Sequence, residues 1–351
     1  MTAEEFLAAV AKDGGVSNGD CSGINLAGAA LSGARLEGMD FRGADLSRCD
    51  LSRAEIMGCR FSHATLQEAT LAEASITNSA FDGALFRKAD LSQAHVAGGD
   101  LSGADCAGAD FSHCTLESTS LKGTLWSHAK CFRTTLSKCD LQGLDCTGAD
   151  MTRAMLEGED CTGVLFLNVT LRQAYLKGAN LRGQRFPGCD LSLAILDGAD
   201  AAGADFSGLD LSRASFAGAV LQGANCRNVK GRCVTYSGAD AKAAVFSGCD
   251  LPMASFKKAD LENADFSQAR LRQVQYHAAV CTGTFFIDAD LSYADFSHAQ
   301  IPNAHFTRSR LHMTNMHCVL LSSADFTETD LSGIRHTDHE LAEAETWTPD
   351  A

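Results

Sequence analysis

An apolar residue at every fifth position is the feature that most constrains how this chain can fold. From Cys21 to Leu331 the pattern runs through 63 consecutive pentapeptides without an insertion or deletion. The central residue of each pentapeptide, called position i here, is Leu in 28 cases, Phe in 16 and Cys in 7. A helix would repeat every 3.6 residues and a strand every two. The period therefore predicts a short extended segment followed by a turn, repeated along the chain.

The positions around each centre also repeat. Two residues before the centre, position i−2 is Ala in 35 pentapeptides, and two residues after it, position i+2 is Gly in 27. Residues 44–48 read Ala-Asp-Leu-Ser-Arg and residues 109–113 read Ala-Asp-Phe-Ser-His. This pattern resembles the consensus of the pentapeptide-repeat family over about residues 19–335. The resemblance implies an all-β solenoid, a right-handed quadrilateral β-helix with four pentapeptides in each coil.

Taking every fourth centre as one column separates Phe from Leu. The column that begins at Leu26 holds nine of the 16 Phe centres, whereas the column that begins at Leu31 holds twelve Leu and one Phe. Like side chains stack in columns along a solenoid, and a plain period of five would not separate them. The sequence therefore supports a coil of four pentapeptides and predicts about 16 four-sided coils.

Both ends of such a solenoid need covers, because an open coil exposes unpaired strand edges. Thr2–Glu5 has the pattern of a capping box that begins a helix. Thr337–Glu340 has the pattern of a second one, with Leu341 and Trp347 available to cover the far end. The predicted domains are an N-terminal capping helix at residues 1–18, a pentapeptide-repeat β-helix at 19–335, and an acidic C-terminal capping helix or tail at 336–351.

The charge and the hydropathy of the chain bear on its location. The net charge is −15, of which residues 1–20 contribute −3 and residues 336–351 contribute −5. An acidic chain disfavours direct binding of nucleic acid. No run of 18 apolar residues is present, and the first 15 residues lack the basic and apolar regions of a secretory signal. We expect a cytoplasmic protein that contacts neither nucleic acid nor membrane.

The 15 Cys residues of the chain raise the question of metal binding. Thirteen of them stand at position i or i−2, where the repeat predicts inward side chains that act as small apolar fillers. Only Cys233 and Cys318 stand at i+2, a position predicted to face solvent. The register therefore predicts structural cysteines for the most part.

The histidines give little support to a metal site. The densest set is His336 and His339 with Glu340, beside which no third ligand is evident. His277 and His317 share one outer column, but two coils separate them by ~9.6 Å, too far for one ion. We expect no metal and no cofactor. We also expect no catalytic residues, because nucleophile and phosphate-loop motifs are lacking and carboxylates recur through repetition alone.

Apolar residues at positions next to the centres depart from the repeat pattern, in which these positions face water. Isolated cases mean little, whereas a continuous patch would indicate a contact with a partner. We expect either such a contact or local tolerance of apolar side chains. The candidate interface residues are Met155, Tyr175 and Ile195 in one column, Leu165 and Leu167 around one Phe centre, and Phe285 and Ile287 around another. We expect the column from Met155 to Ile195 and the pair Leu165 and Leu167 to lie on adjacent walls and to form one patch.

Gly231 is the one Gly at a central position, and it lies within a basic segment. Arg227, Lys230 and Arg232 surround it. One interpretation is a locally irregular or loosened coil. The other is a basic contact spot, or a place where the wall bulges outward.

Two functions remain open on this basis. The first is a non-enzymatic, rigid scaffold or adaptor that binds an unidentified protein partner, or a second copy of itself, through the outer walls of the β-helix. Similar repeat segments accompany bacterial type VI secretion adaptors, which makes an accessory role there one version. The alternative, also implied by the resemblance, is a DNA-mimicking regulator of DNA gyrase or topoisomerase that gives quinolone protection. Residues 21–335 carry only −7, which favours the first.

Overall fold

The computed structural model of the chain describes residues 1–346. Its backbone pairs are parallel and join each residue to the one four pentapeptides later, as in Asp45 with Thr65. Such pairs recur every five residues, so four pentapeptides make one coil. The chain is therefore an all-parallel β-solenoid. A short helix lies near each end of the described residues, α1 at Ala3–Asp13 and α2 at His339–Thr346.

Continuous strands occur along one column of the solenoid. They are β1 (Gly15–Ser17), β2 (Arg35–Glu37), β3 (Glu55–Met57), β4 (Ser75–Thr77), β5 (His95–Ala97), β6 (Thr115–Glu117) and β7 (Thr135–Ser137). They form one sheet in this order and mark six coils. The predicted count of about 16 coils is not supported by the strands, because pairing elsewhere in residues 1–346 consists of isolated single-residue bridges.

The chain divides into two compact units. The first holds Met1–Leu176 together with Phe186–Cys189, and the second holds Lys177–Arg185 together with the chain from Asp190. Helix α1 and all seven strands belong to the first unit, whereas α2 belongs to the second.

The five-residue repeat combines a paired residue, a buried centre and a tight turn. The N–H of Asp45 donates to Ile24 O in the preceding coil (2.8 Å), and the N–H of Leu46 donates to Thr65 O in the next coil (2.7 Å). The Leu46 side chain is fully buried. Arg48 then turns the chain with a φ of 57°. Position i+2 has a positive φ in nearly every pentapeptide, which explains why Gly is frequent there.

Position i+1 is where the backbone can spare a donor. Its N–H typically donates to the Asp side chain at i−1 of the same pentapeptide, as Ser52 does to Asp50 Oδ1 (3.0 Å). Pro252 stands at this position, and the following residue, Met253, still donates to Arg272 O in the next coil (3.0 Å). Because Pro lacks an N–H, position i+1 accepts Pro without loss of a backbone hydrogen bond between coils.

The core of the first unit is mainly aliphatic and rich in cysteine. On the strands the central side chains, such as Ile56 and Ile76, are buried. Cysteines at i−2 bond to the backbone of the preceding coil, as when the Cys49 thiol donates to Leu26 O (2.7 Å). The Thr124 hydroxyl makes the equivalent bond to Leu101 O (2.9 Å). Cysteine therefore serves here as a small side chain with one donor.

The core of the second unit contains two columns of stacked rings. Rings within a column lie 4.6–5.4 Å apart and nearly parallel, and rings of different columns meet edge to face at 5.3–6.0 Å. Both geometries are favourable for aromatic pairs. The first column is Phe216, Tyr236, Phe256, Tyr276 and Phe296, and the second is Phe246, Phe266, Phe286, Phe306 and Phe326.

Helix α1 caps the first unit as the sequence predicts. Thr2 is its N-cap, and both bonds of the capping box are present, from Glu5 N–H to Thr2 Oγ1 (3.2 Å) and from Thr2 N–H to Glu5 Oε2 (2.8 Å). Phe6 is completely buried and meets the Phe41 ring edge to face at 5.6 Å. The helix therefore closes the core with one aromatic side chain.

Helix α2 begins one residue later than predicted. The predicted capping box at Thr337–Glu340 makes Thr337 the N-cap, whereas the N-cap in the structure is Asp338. Asp338 is the residue that caps it, accepting the N–H groups of Glu340 and Leu341 (3.1 Å each). The Thr337 hydroxyl is engaged elsewhere, because it accepts the N–H of Cys318 (3.1 Å). No residue of α2 is buried. Trp347, predicted to help cover this end, lies outside the described residues.

Candidate functional site

The largest regular departure from the repeat on the first unit is a column of exposed leucines. Leu85, Leu125 and Leu165 occupy i−1 and are 40%, 41% and 49% exposed. Asp105 and Asp145 stand between them, each paired through its backbone with the leucines on either side. Only Leu165 was predicted from the sequence. Leu85 and Leu125 were missed, although their recurrence in every second coil is a signal that could have revealed them.

The predicted patch around Met155 and Leu165 is not continuous. The two residues lie two pentapeptides apart, half of a coil, so they face opposite sides of the solenoid. The expectation of one patch is therefore wrong. Met155 is 43% exposed and pairs with half-buried Tyr175 in the next coil. Leu167 is also half-buried.

The remaining interface candidates belong to the second unit. Ile195 is exposed and pairs with Ser215. Phe285 is half-buried, as is Ile287, and the Phe285 ring stacks on His305 at 4.8 Å. These three side chains are partly available to solvent, and their role in binding stays a prediction.

The coil at Gly231 is regular, so the predicted loosening or bulge is wrong. Its N–H donates to Asp250 O (2.9 Å), and adjacent Lys230 pairs with both neighbouring coils. A Cβ at Gly231 would lie 2.8 Å from Leu251 Cδ2, which explains the missing side chain. Arg227 and Arg232 are exposed.

Lys230 belongs to a column of alternating charge on the second unit. Each member pairs through its backbone with a residue of opposite charge in the next coil, and Arg270 also forms an ion pair with Asp250 (3.7 Å). Alternation of this kind lowers the field that the column presents to solvent. The column is Asp210, Lys230, Asp250, Arg270, Asp290, Arg310 and Asp330.

Aspartates at i−1 are part of the turn as well as of the surface. Asp45 Oδ1 accepts both the N–H of Ser47 (2.9 Å) and its hydroxyl (2.6 Å). These hydrogen bonds from Ser47 lower the pKa of Asp45. The high frequency of Asp therefore has a structural cause that requires no ligand.

The cysteines follow their predicted register. Those at i and i−2 are buried, apart from the half-buried Cys139, whereas Cys233 is exposed and Cys318 is intermediate. Burial raises the pKa of the Cys106 thiol strongly and that of Cys189 to about 11. The inward thiols are therefore poor nucleophiles and poor metal ligands.

A cluster of potential metal ligands lies where α2 contacts the coils of the second unit. His298, His317, Cys318 and Glu345 place one ligand atom each within 4.8 Å of all the others. From the sequence, His317 and Cys318 were considered separately and the other two members were missed, because the position of Glu345 depends on how α2 packs. His336 and His339, the densest pair in the sequence, are exposed and stand outside this cluster.

Hydrogen bonds organise the cluster around one carboxylate. Glu345 Oε2 lies 3.2 Å from His317 Nε2 and 3.1 Å from His298 Nε2. The bond from His317, followed by the proximity of His298, lowers the pKa of Glu345. Cys318 Sγ lies 3.3 Å from His317 Nε2.

The fold defines a class, the all-parallel β-solenoid built from five-residue units. The chain belongs to the pentapeptide repeat family, whose model, pentapeptide repeats, matches it in eight copies. The family is generally composed of non-enzymatic structural or binding proteins, and the match indicates no catalytic family. The matched residues are 20–56, 54–93, 89–125, 129–160, 174–212, 210–242, 237–273 and 277–308.

Several solved structures resemble the chain. A trypsin-treated form of QnrB1, a plasmid-mediated fluoroquinolone resistance protein, is 22% identical over 59% of this chain and 99% of its own, with a TM-score of 0.34. HetL from Nostoc sp. strain PCC 7120, involved in heterocyst differentiation regulation, is 23% identical over 96% of this chain and 98% of its own, with a TM-score of 0.13. The family assignment rests on the family model.

A pentapeptide repeat protein from the Arabidopsis thaliana thylakoid lumen is 24% identical over 46% of this chain and 75% of its own, with a TM-score of 0.17. No curated protein sequence gives a significant match. Within residues 1–346, neither helix has the length and apolar character needed to cross a membrane.

Proposed function

We propose that this protein is a non-enzymatic scaffold that binds a protein partner through the outer wall of its first unit. The observation that carries the proposal is the column of Leu85, Leu125 and Leu165, here called the leucine face. At position i−1 an Asp would accept a turn hydrogen bond, so each Leu gives up that bond and exposes an apolar side chain. A single exposed Leu means little, but the same exception at every second coil favours a contact surface.

The geometry of the leucine face suits a protein ligand. Parallel pairing fixes the three Cα positions, and two coils separate neighbouring leucines by ~9.6 Å. Asp105 and Asp145 lie between them and provide a polar boundary. Interfaces combine apolar anchors with a polar rim in this way. A partner segment with apolar side chains at matching spacing would bury the leucines with little ordering cost on the solenoid side.

Met155 and Tyr175 form a second candidate contact on the opposite side, called the Met155 face. Exposed Met57 lies in the same wall of the solenoid, at i+1 of an earlier coil. An accessory role in type VI secretion is a narrower version of the scaffold proposal and rests on the family resemblance alone.

The DNA-mimic alternative has less support from the charges. A surface that imitates DNA presents closely spaced charges of one sign, whereas the column from Asp210 to Asp330 alternates in sign. Many aspartates also have one oxygen engaged in the turn. A supercoiling assay with purified gyrase, with and without a quinolone, tests this alternative. We expect no change in supercoiling and no protection from the drug.

Two double variants test the scaffold proposal with matched chemistry. Leu125→Asp/Leu165→Asp changes the leucine face, and Met57→Asp/Met155→Asp changes the opposite side of the same unit. Partners captured by cross-linking in the source cells would be purified, and their affinity for each full-length variant measured by calorimetry. We expect the first double variant to bind at least ~30-fold more weakly, as loss of interface anchors does, and the second to bind normally.

Other outcomes have distinct meanings. Loss of binding in the second variant alone would move the contact to the Met155 face. Unchanged binding by both would overturn binding through these walls. Both variants should keep the wild-type melting temperature, because the altered side chains are exposed.

A further inference from the structure

We propose that His298, His317, Cys318 and Glu345 form a binding site for a divalent transition-metal ion of the zinc class, which fastens α2 to the coils of the second unit. The proposal goes beyond the scaffold function and does not depend on it. All four residues belong to the second unit.

The repeat itself brings three of the ligands together. His298 and Cys318 occupy the same i+2 position in successive coils, both with positive φ (58° and 51°). The parallel coil holds them in register through the hydrogen bond from His298 N–H to His317 O (2.9 Å). His317, at i+1, directly precedes Cys318 in the sequence. Helix α2 then places Glu345 against the imidazoles of both histidines.

The distances fit a tetrahedral ion. With Zn–N and Zn–O bonds of about 2.0–2.1 Å and a Zn–S bond of about 2.3 Å, neighbouring ligand atoms of a tetrahedron lie about 3.3–3.6 Å apart. Three of the six ligand pairs are already at 3.1–3.3 Å, namely His298 with Glu345, His317 with Glu345, and Cys318 with His317. All other pairs lie within 4.8 Å, so modest side-chain rotations would complete the site.

The donor set and its surroundings also favour a metal. Two imidazoles, a thiol and a carboxylate suit zinc and similar ions better than the all-oxygen sets that magnesium and calcium prefer. His317 is only 5% exposed, and the cluster borders a cavity of about 210 Å³ lined also by His277 and Leu341. The site is therefore partly shielded from water and still open to an entering ion.

Metal binding here has an identifiable cost. The Asp338 N–H donates to His317 Nδ1 (3.1 Å), so the neutral ring carries its proton on Nε2, facing Glu345. An ion at Nε2 displaces that proton to Nδ1, and the Asp338 N–H must then turn away. Cys318 also loses its thiol proton. Binding should therefore release protons and alter the start of α2, where Asp338 is the cap.

The site also explains how α2 can be held. No residue of this helix is buried, whereas α1 buries Phe6. The contacts of Glu345 with two histidines add to the hydrogen bond between Asp338 and His317 in linking α2 to the coils. A metal ion would join Glu345 of α2 to the three ligands that the coils supply.

The test uses the full-length, reduced chain and zinc or cobalt chloride alone as the probe. Competition with a chromophoric chelator should give one bound zinc per chain with submicromolar affinity. Cobalt should give the intense absorption of tetrahedral coordination together with a thiolate charge-transfer band. Calorimetry in buffers of different ionisation enthalpy should show proton release on binding.

Matched variants assign the site. Cys318→Ser and Glu345→Gln should each weaken zinc binding at least 10-fold, and Cys318→Ser should remove the charge-transfer band. The controls Cys233→Ser, at the other i+2 cysteine, and His339→Gln, an exposed histidine on α2, should bind as the wild type. If the site variants unfold, the cobalt spectrum of the unaltered chain still decides the coordination. Binding of less than half an equivalent, or a thiolate band that survives Cys318→Ser, would overturn the proposal.

Discussion

The two units of this protein fill the same repeat position with different side chains. In the first unit the column of Leu36, Ile56 and Ile76 is aliphatic, and its residues form three-residue strands as far as Ser137. In the second unit the later positions of the same column hold Phe216, Tyr236, Phe256, Tyr276 and Phe296, and the pairing there consists of isolated bridges.

The comparison shows that the backbone repeat accepts either solution. Aliphatic and aromatic side chains both favour extended backbone, and the aliphatic centres Leu156 and Leu176 of the same column lie beside isolated bridges. The type of central side chain therefore does not account for where the strands form. Stacked rings lie 4.6–5.4 Å apart in this column, close to the ~4.8 Å between paired strands. A ring in every coil therefore meets its neighbours without any change of the coil. The residue chosen at each centre sets the kind of cohesion and leaves the path of the chain unaltered.

The two units also differ in the number of buried cysteines. Burial raises the pKa of ten thiols in the first unit and of three in the second. Those of the first unit are Cys21, Cys49, Cys59, Cys106, Cys114, Cys131, Cys139, Cys146, Cys161 and Cys189. Those of the second are Cys226, Cys249 and Cys281.

The largest expected effect is therefore selective loss of the first unit at alkaline pH. Unfolded thiols ionise above about pH 8.5, whereas the buried thiols keep their protons. The native state then binds more protons than the unfolded state, so its stability is complete below that pH and falls as pH rises. The loss approaches ~1.4 kcal/mol per thiol for each further pH unit. Circular dichroism and pulsed thiol labelling followed by mass spectrometry would follow it.

In this experiment the exposed Cys233 should label at every pH and serves as an internal reference. Thiols of the first unit should become reactive at a lower pH than Cys249 and Cys281. Simultaneous labelling of both sets, or full protection of both in strong alkali, would contradict the expected difference between the units.

A smaller effect is expected from removing one ring of the second unit. Phe256 stacks on Tyr236 (4.8 Å) and Tyr276 (5.4 Å) and meets two further rings edge to face. Phe256→Ala should cost ~3–5 kcal/mol of unfolding free energy, as large core truncations do. Urea denaturation would measure this, with exposed Lys257→Ala as a control expected within ~0.5 kcal/mol. Equal losses would mean that the ring column contributes little.

The smallest effect concerns a polar atom within the ring column. Tyr236 is fully buried, and its hydroxyl has no hydrogen-bond partner among the described residues. A buried unsatisfied group costs about 1–3 kcal/mol, so Tyr236→Phe should leave stability unchanged or raise it by about 1 kcal/mol. Denaturation of this variant beside Tyr175→Phe, a half-buried tyrosine of the first unit, would test it. A loss above about 1 kcal/mol would reveal a partner for the hydroxyl.

The sequence predicts the solenoid well because the repeat is local. Burial at the centres and turns at i+2 both follow from five neighbouring residues. Helix α1 follows from Thr2 and Glu5 for the same reason. The count of about 16 coils is not supported, since within residues 1–346 continuous strands are limited to β1–β7.

The candidate sites were harder to predict, because they depend on relations outside the pentapeptide. Glu345 reaches the histidines only through the packing of α2, which no repeat encodes. The alternation of Leu85, Leu125 and Leu165 with aspartates has a period of two coils. Met155 and Leu165 are half a coil apart, so they belong to opposite walls and not to adjacent ones. Gly231 is small because Leu251 occupies the space, a contact one coil away.

Each paired residue meets the one four pentapeptides later. The wall on which a residue lies is therefore set by its position within a coil of four pentapeptides. Loss or gain of one pentapeptide between Leu85 and Leu125 would keep the repeat intact and yet carry the later residues of the first unit to the adjacent wall, breaking the alignment of Leu85 with Leu125 and Leu165. A change of four pentapeptides would restore it. Such a chain can lengthen or shorten its surfaces by whole coils without redesigning them, whereas a single added pentapeptide rearranges what each wall displays.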